Sequence, residues 1–181
     1  GVLPALLTRC MAEAAHEEAT GDSYDWRDEL LDGVLQLSPP EAVIAALPPE
    51  MIAYQPTPAR HILSLLARAR LTADDVLLDF GSGLGHVPLL TSICTGAAAI
   101  GIECELAYVA SARASARALQ LSKVQFHCQD ARAADLASAT LFYLYTPFVG
   151  TVLHDMLEIL RRHSAGRHIR IAAHGPCVTA L

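Results

Sequence analysis

Residues Val76-Leu77-Leu78-Asp79-Phe80-Gly81-Ser82-Gly83-Leu84-Gly85 constrain the fold more than any other stretch of this chain. The apolar run at 76–78 and 80 suits a central parallel strand, which is covered on both faces and need not alternate. Gly81, Gly83 and Gly85 lack the Cβ atoms that keep backbone away from a ligand or from φ > 0. A helix starting after them points free N–H groups into the turn. A nucleotide-like cofactor is expected there.

Dinucleotide-binding turns read G-x-G-x-x-G, and their third glycine lets helix and strand pack closely. Here the spacing is G-x-G-x-G, His86 stands where that last glycine would be, and Asp79 precedes the turn. A carboxylate is unfavourable beside a phosphate and favourable beside an ammonium or sulfonium. The ligand is therefore expected to be an adenosine carrying positive charge. An ordinary ligand-free turn and a nicotinamide or flavin site are the alternatives.

At this point the sequence resembles the class I S-adenosylmethionine-dependent methyltransferases, whose first motif has the form Asp-x-Gly-x-Gly-x-Gly. The resemblance implies a Rossmann-like α/β fold and S-adenosyl-L-methionine as cofactor, with S-adenosyl-L-homocysteine as product. Asp79, Gly81, Ser82, Gly83 and Gly85 are then cofactor contacts. The class I sheet usually has two strands after its fifth. This chain stops at Leu181 and begins with Gly1, so a truncated chain or a minimal variant is expected.

The order of elements agrees with a fold of that class. Apolar positions at helical spacing cover 2–19, a second helix spans Trp26 to Leu37, and Ser38-Pro39-Pro40-Glu41 leads into a third ending near Leu47. Residues 1–55 thus read as a helical cap without strands, and 56–181 as the cofactor domain. There the pattern alternates: helix 58–70, strand 76–80, helix 86–95, strand 98–103, helix 105–120, strand 124–128, strand 140–145, helix 149–163 and strand 168–173. Such alternation implies a mostly parallel sheet with helices on both faces. Its ligands bind at the carboxyl ends of the strands, near the switch point.

Residues at those ends are the further candidates. Glu103 follows Asp79 by 24 positions and is placed to accept both ribose hydroxyls; a solvated carboxylate at a helix N-terminus is the alternative. Cys104 packs beside the adenine or is a core thiol. Asp130 accepts the adenine amine while the Ala131 N–H meets a ring nitrogen, unless Asp130 only caps a turn. Tyr143 and Tyr145 line the methyl-transfer edge or serve as core aromatics with Phe148. In Tyr54-Gln55-Pro56-Thr57-Pro58, Pro58 suits the first helical position and Thr57 its cap. Tyr54 and Thr57 are also placed to touch the cofactor's methionine end. Tyr145-Thr146-Pro147-Phe148 lacks the acidic or amide acceptor of the (Asp/Asn)-Pro-Pro-(Tyr/Phe) motif common in amino-methylating enzymes of nucleic acids.

Four segments narrow the resemblance: Tyr54–Pro58, Asp75–Gly83, Gly101-Ile102-Glu103, and Asp135–Thr140 followed by Tyr143-Leu144-Tyr145. Over roughly 53–173 they are similar to the ATP synthase c-subunit lysine N-methyltransferase family and its bacterial relatives, and distantly to Dot1-type histone lysine methyltransferases. This implies N-methylation of a protein lysine. A small-molecule acceptor, with the N-terminal helices as a lid, and a non-catalytic interaction module are the alternatives.

Composition excludes several classes. The net charge is −6 with Lys123 as the single lysine, which argues against a nucleic-acid-binding surface. Arg161-Arg162, Arg167 and Arg170 read as the solvated end of a helix. The five cysteines have no C-x-x-C spacing and are expected as buried free thiols of a cytoplasmic protein. No ligand pair of the H-E-x-x-H kind is present, so no metal is expected. No apolar run is long enough to cross a membrane.

Overall fold

Burial on alternating faces of short apolar strands organises the chain. The structure, a computed structural model, describes residues 2–16, 21, 23–40 and 50–180. The strands are β1 (Val76–Phe80), β2 (Ala98–Glu103), β3 (Val124–Cys128), β4 (Leu141–Tyr145) and β5 (Arg170–His174). They form one sheet in the order β3-β2-β1-β4-β5, and every pairing is parallel. The chain moves outward from β1 to β3, then returns to place β4 on the other side of β1. That reversal opens a crevice at the carboxyl ends of β1 and β4. Asp79 lies in register between Gly101 and Tyr143, at its edge.

The helices are α1 (Val2–His16), α2 (Trp26–Leu35), α3 (Ala59–Ala69), α4 (His86–Thr95), α5 (Leu106–Ala118) and α6 (Gly150–Ser164). Leu77 and Tyr143 face a core shared with Leu7 of α1, Leu31 and Leu35 of α2, Ile62 and Leu66 of α3, Val87 of α4 and Val109 of α5. Leu78, Phe80, Phe142 and Leu144 face the opposite core, closed by Val152, Met156 and Leu160 of α6. Each such Leu or Phe contributes about 1.5–3 kcal/mol by leaving water. Helices therefore cover both faces, but unequally. Among the described residues the second face has α6 and two 3₁₀ turns, Ala131–Ala133 and Pro176–Ala180.

The boundaries differ from the sequence expectations where a cap intervenes. α2 stops at Leu35 because Gln36 adopts the left-handed conformation and its N–H bonds back to Asp32 O. The third helix expected to end near Leu47 lies outside the described residues. Pro58 is not the first residue of α3 but its N-cap, and Thr57 does not cap it. The free Ala59 N–H is instead bound by Asp28 Oδ1 of α2 at 2.8 Å. Asp28 also completes a capping box with Asp25, so one side chain serves two helix starts.

Two expectations about side chains are corrected. Arg167 and Arg170 are not simply a solvated helix end. Arg167 donates to the carbonyls of Ala137 and Ala139, and Arg170 pairs with Asp75 across the start of β5. Cys10 and Cys177 are buried, whereas Cys104 and Cys128 are exposed, since both end strands at the open rim of the sheet. Among the described residues, no helix is long and apolar enough to cross a membrane, and no cluster of metal-ligating side chains occurs.

Candidate functional site

The glycine turn is folded back on β2: the N–H groups of Gly81 and Ser82 both donate to Ile102 O, at 2.8 and 3.0 Å. Gly83 has φ +51 and Gly85 has φ +90, and each is approached closely. A Cβ on Gly83 would lie 2.1 Å from Tyr54, and one on Gly85 would lie 2.5 Å from Phe126. Glycine is thus required for backbone conformation and for space. α4 begins directly after Gly85 with no side chain capping it, so its first N–H groups stay available.

Two carboxylates flank this turn. Asp79 is 4% exposed, and among the described residues no donor reaches its carboxylate. Burial, reinforced by the charge of Glu103, pushes the Asp79 carboxyl well above the usual carboxylate range. Glu103 is firmly placed: Oε2 accepts the Gly83 N–H at 2.9 Å and Oε1 accepts the Glu105 N–H at 2.9 Å. Although Cys104 is exposed overall, desolvation of its thiol and the Glu103 charge push that group up to about 12, which keeps it protonated near neutral pH.

A cavity of about 720 Å³ opens at the carboxyl ends of β1, β2 and β4. That volume suits a small molecule of cofactor size. Tyr54, Gly81, Glu103, Cys104, Ala131 and Tyr145 line it, all residues singled out from the sequence. Glu103 and Glu105 are the only charged side chains on its wall among the described residues. Part of the cover is a strap of chain: Met51 bridges Phe148, and the Ile52 N–H donates to Pro147 O at 3.2 Å. Glu50 anchors the strap, its carboxylate accepting from Thr151 Oγ1 at 2.6 Å and the Val152 N–H at 3.1 Å.

Other expected site residues stand behind the wall. Of the strand and turn residues expected there, Gly81 lines the cavity, while Asp79, Ser82, Gly83 and Gly85 do not. Thr57 and Tyr143 are buried and bond to each other, Oγ1 to hydroxyl, at 3.1 Å. Burial raises the Tyr143 hydroxyl pKa far above its ordinary value, so it brings no phenolate to the site. Asp130 does not line the cavity; its oxygens accept from the Arg132 backbone and guanidinium, which hold its pKa down. Gln129 takes the wall position beside Ala131 instead.

Tyr108 and Gln129 were not anticipated. Tyr108 packs against Tyr54 in a tilted pair, with ring centroids 4.8 Å apart and planes at 44°. Its only sequence signal is its place one turn into the helix after Glu103. Gln129 was hidden by the more conspicuous Asp130 beside it.

No protein-family model and no curated protein matches the chain. Solved structures do. An RNA methyltransferase from Salinibacter ruber, in complex with S-adenosyl-L-homocysteine, is 28% identical with a TM-score of 0.55, over 65% of this chain and 72% of that one. A methyltransferase of Geobacter sulfurreducens in the same kind of complex is 22% identical, TM-score 0.51, over 62% and 46%. The C-terminal domain of precorrin-6Y C5,15-methyltransferase from Rhodobacter capsulatus is 21% identical, TM-score 0.50, over 61% and 60%. This chain thus spans about half the length of the last two. The five-stranded parallel sheet, its order and the glycine turn after β1 are together the Rossmann-like fold of the class I S-adenosylmethionine-dependent methyltransferases.

Proposed function

We propose that this chain transfers a methyl group from S-adenosylmethionine to an amine nitrogen, with a protein lysine as the acceptor. The observation that carries the donor half is Asp79, a buried carboxylate with no cation beside it, under a glycine turn that admits no side chain. A buried carboxylate is costly without a partner. A ligand bearing an ammonium and a sulfonium supplies one. In this reading Glu103 takes the ribose hydroxyls, Cys104, Gln129 and Ala131 border the adenine, and Gly81 with Tyr54 borders the methionine end; all of them line the cavity. The Salinibacter ruber RNA methyltransferase, 28% identical and bound to S-adenosylhomocysteine, supports the choice of donor.

When bound, the donor supplies a sulfonium-activated methyl group, which a nitrogen lone pair takes up by in-line displacement. The chain's own work is to hold and desolvate the acceptor. A lysine, with an ordinary pKa of about 10.4, must first lose a proton. Tyr54, Tyr108, Tyr145 and Phe148 offer a low-dielectric wall that favours the neutral amine. Glu103 and Glu105 attract the incoming ammonium. A phosphate-bearing acceptor would meet the same two charges as repulsion. Arg113 and Arg117 line a separate cleft between α5 and β3. Asp79 acts on the donor electrostatically and is too enclosed to serve as a base.

Methylation of a small molecule is the second reading, favoured by the strap of residues 50–55 that narrows the cavity. Incubation with methyl-labelled S-adenosylmethionine and either cell lysate or metabolite pools separates the two. Label in protein, recovered after hydrolysis as methyl-lysine, is the expected outcome. Label confined to small molecules or to RNA would remove the lysine assignment.

A further inference from the structure

We propose that His86, held by Asp32, is a positioning residue that fixes Tyr54 as a wall of the donor cavity. The inference rests on the methyl-donor function proposed above. Tyr54 reaches the cavity from an extended connector, so no helix or strand fixes its ring. Packing against Gly83 on one side and Tyr108 on another limits where the ring plane lies. The hydroxyl end decides how the ring is held within those limits. It sits 3.4 Å from His86 Nδ1, and His86 Nε2 sits 2.9 Å from Asp32 Oδ1; the Leu84 backbone also meets the hydroxyl oxygen, which leaves His86 as the side chain facing it.

The chemistry of the three groups sets the direction of this chain of bonds. An ionised carboxylate only accepts, so the His86 Nε2–H donates to Asp32. When the ring is neutral, Nδ1 is then left as an acceptor, and the Tyr54 O–H donates to it. Burial raises the Tyr54 pKa above its ordinary value, so the hydroxyl keeps its proton and needs that acceptor. His86 is itself mostly buried, with 12% of its side chain exposed, while Asp32 on α2 is 59% exposed. One chain of hydrogen bonds therefore joins α2, the first residue of α4 and the connector.

Position 86 is where a dinucleotide-binding turn carries its last glycine. Glycine there has no side chain with which to hold a tyrosine. Histidine at this place exchanges close helix–strand packing for a fixed aromatic wall. A wall already in place loses less conformational freedom when a ligand binds, and affinity rises accordingly.

The test is a double-mutant cycle on S-adenosylhomocysteine affinity, measured by calorimetry alongside melting curves. His86→Ala is expected to weaken binding about tenfold, within the usual coupling of contacting residues. His86→Gln, whose amide offers both an acceptor and a donor, should stay within about threefold of wild type. In a Tyr54→Phe background, which keeps the ring and removes the hydroxyl, His86→Ala should cost less than about twofold. Losses that simply add, or Gln as poor as Ala at unchanged melting temperature, would overturn the positioning role while leaving the donor site standing. Wild-type protein that binds no S-adenosylhomocysteine would overturn both. Should His86→Ala fail to fold, Asp32→Ala takes its place in the same cycle with the same expected coupling.

Discussion

The Tyr54 ring lies over Gly83 so closely that a Cβ there would fall 2.1 Å from Tyr54 Cε2. Gly83 also has φ +51, where an L-residue is strained by about 1–2 kcal/mol. Gly83→Ala should therefore displace the aromatic wall and strain the turn together. The expected result is a melting temperature lower by about 3–8 °C and S-adenosylhomocysteine affinity lower by more than about tenfold. Adding Tyr54→Ala removes the clash but leaves the backbone strain, so calorimetric melting should recover in part only. Full recovery would mean that the φ of Gly83 carries no cost.

Asp79 makes an opposite pair of predictions for stability and binding. Its folded pKa is raised, so the folded state holds a proton that the unfolded state releases above about pH 4. Its contribution is most favourable below that value and is lost as pH rises toward the raised folded pKa. Asp79→Asn should accordingly melt at least about 3 °C higher than wild type at pH 8, and the difference should vanish near pH 4. The same variant should lose donor binding, because the amide carries no charge to meet an ammonium or sulfonium. Equal melting at both pH values would contradict the unpaired carboxylate.

Glu103 joins fold and ligand. Removing its carboxylate in Glu103→Ala leaves the N–H groups of Gly83 and Glu105 without their acceptor. Charge-assisted bonds of this kind contribute about 1.5–3 kcal/mol, so the variant should melt lower, and loss of the carboxylate from the cavity wall should also weaken donor binding by more than about tenfold. Glu103→Gln keeps one of the two acceptor oxygens and turns its NH2 toward the other N–H, so it should melt between Glu103→Ala and wild type while still binding about tenfold more weakly. Titration calorimetry on the two variants separates the structural bond from the charge.

The strand and turn from 76 to 85 were legible because buried strands and glycine turns are local patterns. So were the other strand cores and the rise of Glu103 to the sheet's rim. What escaped depended on contacts distant in sequence. Asp28 caps a helix that starts 31 residues later, and no spacing rule reports that. Thr57, expected as a cap or a cofactor contact, and Tyr143, expected at the transfer edge or in the core, are both buried and bond to each other across 86 residues. Asp130, expected as an adenine acceptor or a turn cap, is the cap: its carboxylate accepts from the Arg132 N–H and guanidinium, two residues on. Gln129, one residue past the end of β3, lines the cavity.

The strap offers a further prediction. Glu50 Oε2 accepts from both Thr151 and Val152 at the start of α6, and those bonds lower its pKa. A lowered folded pKa means the tie is present above the ordinary glutamate pKa and lost as pH falls below it. Glu50→Ala should speed proteolytic cleavage within residues 50–55 at pH 7.5, with little change at pH 3.5, where the wild-type tie is already weakened. Identical cleavage rates at pH 7.5 would show that the backbone bonds of Met51 and Ile52 hold the strap alone.

Titration calorimetry of the purified protein with S-adenosylhomocysteine, wild type against Asp79→Asn, tests the donor site most directly. Saturable binding at one site per chain, with affinity in the micromolar range or tighter and lost in the variant, is the expected result. No binding to wild type, or equal binding to both proteins, would contradict a methyl-donor site built around Asp79.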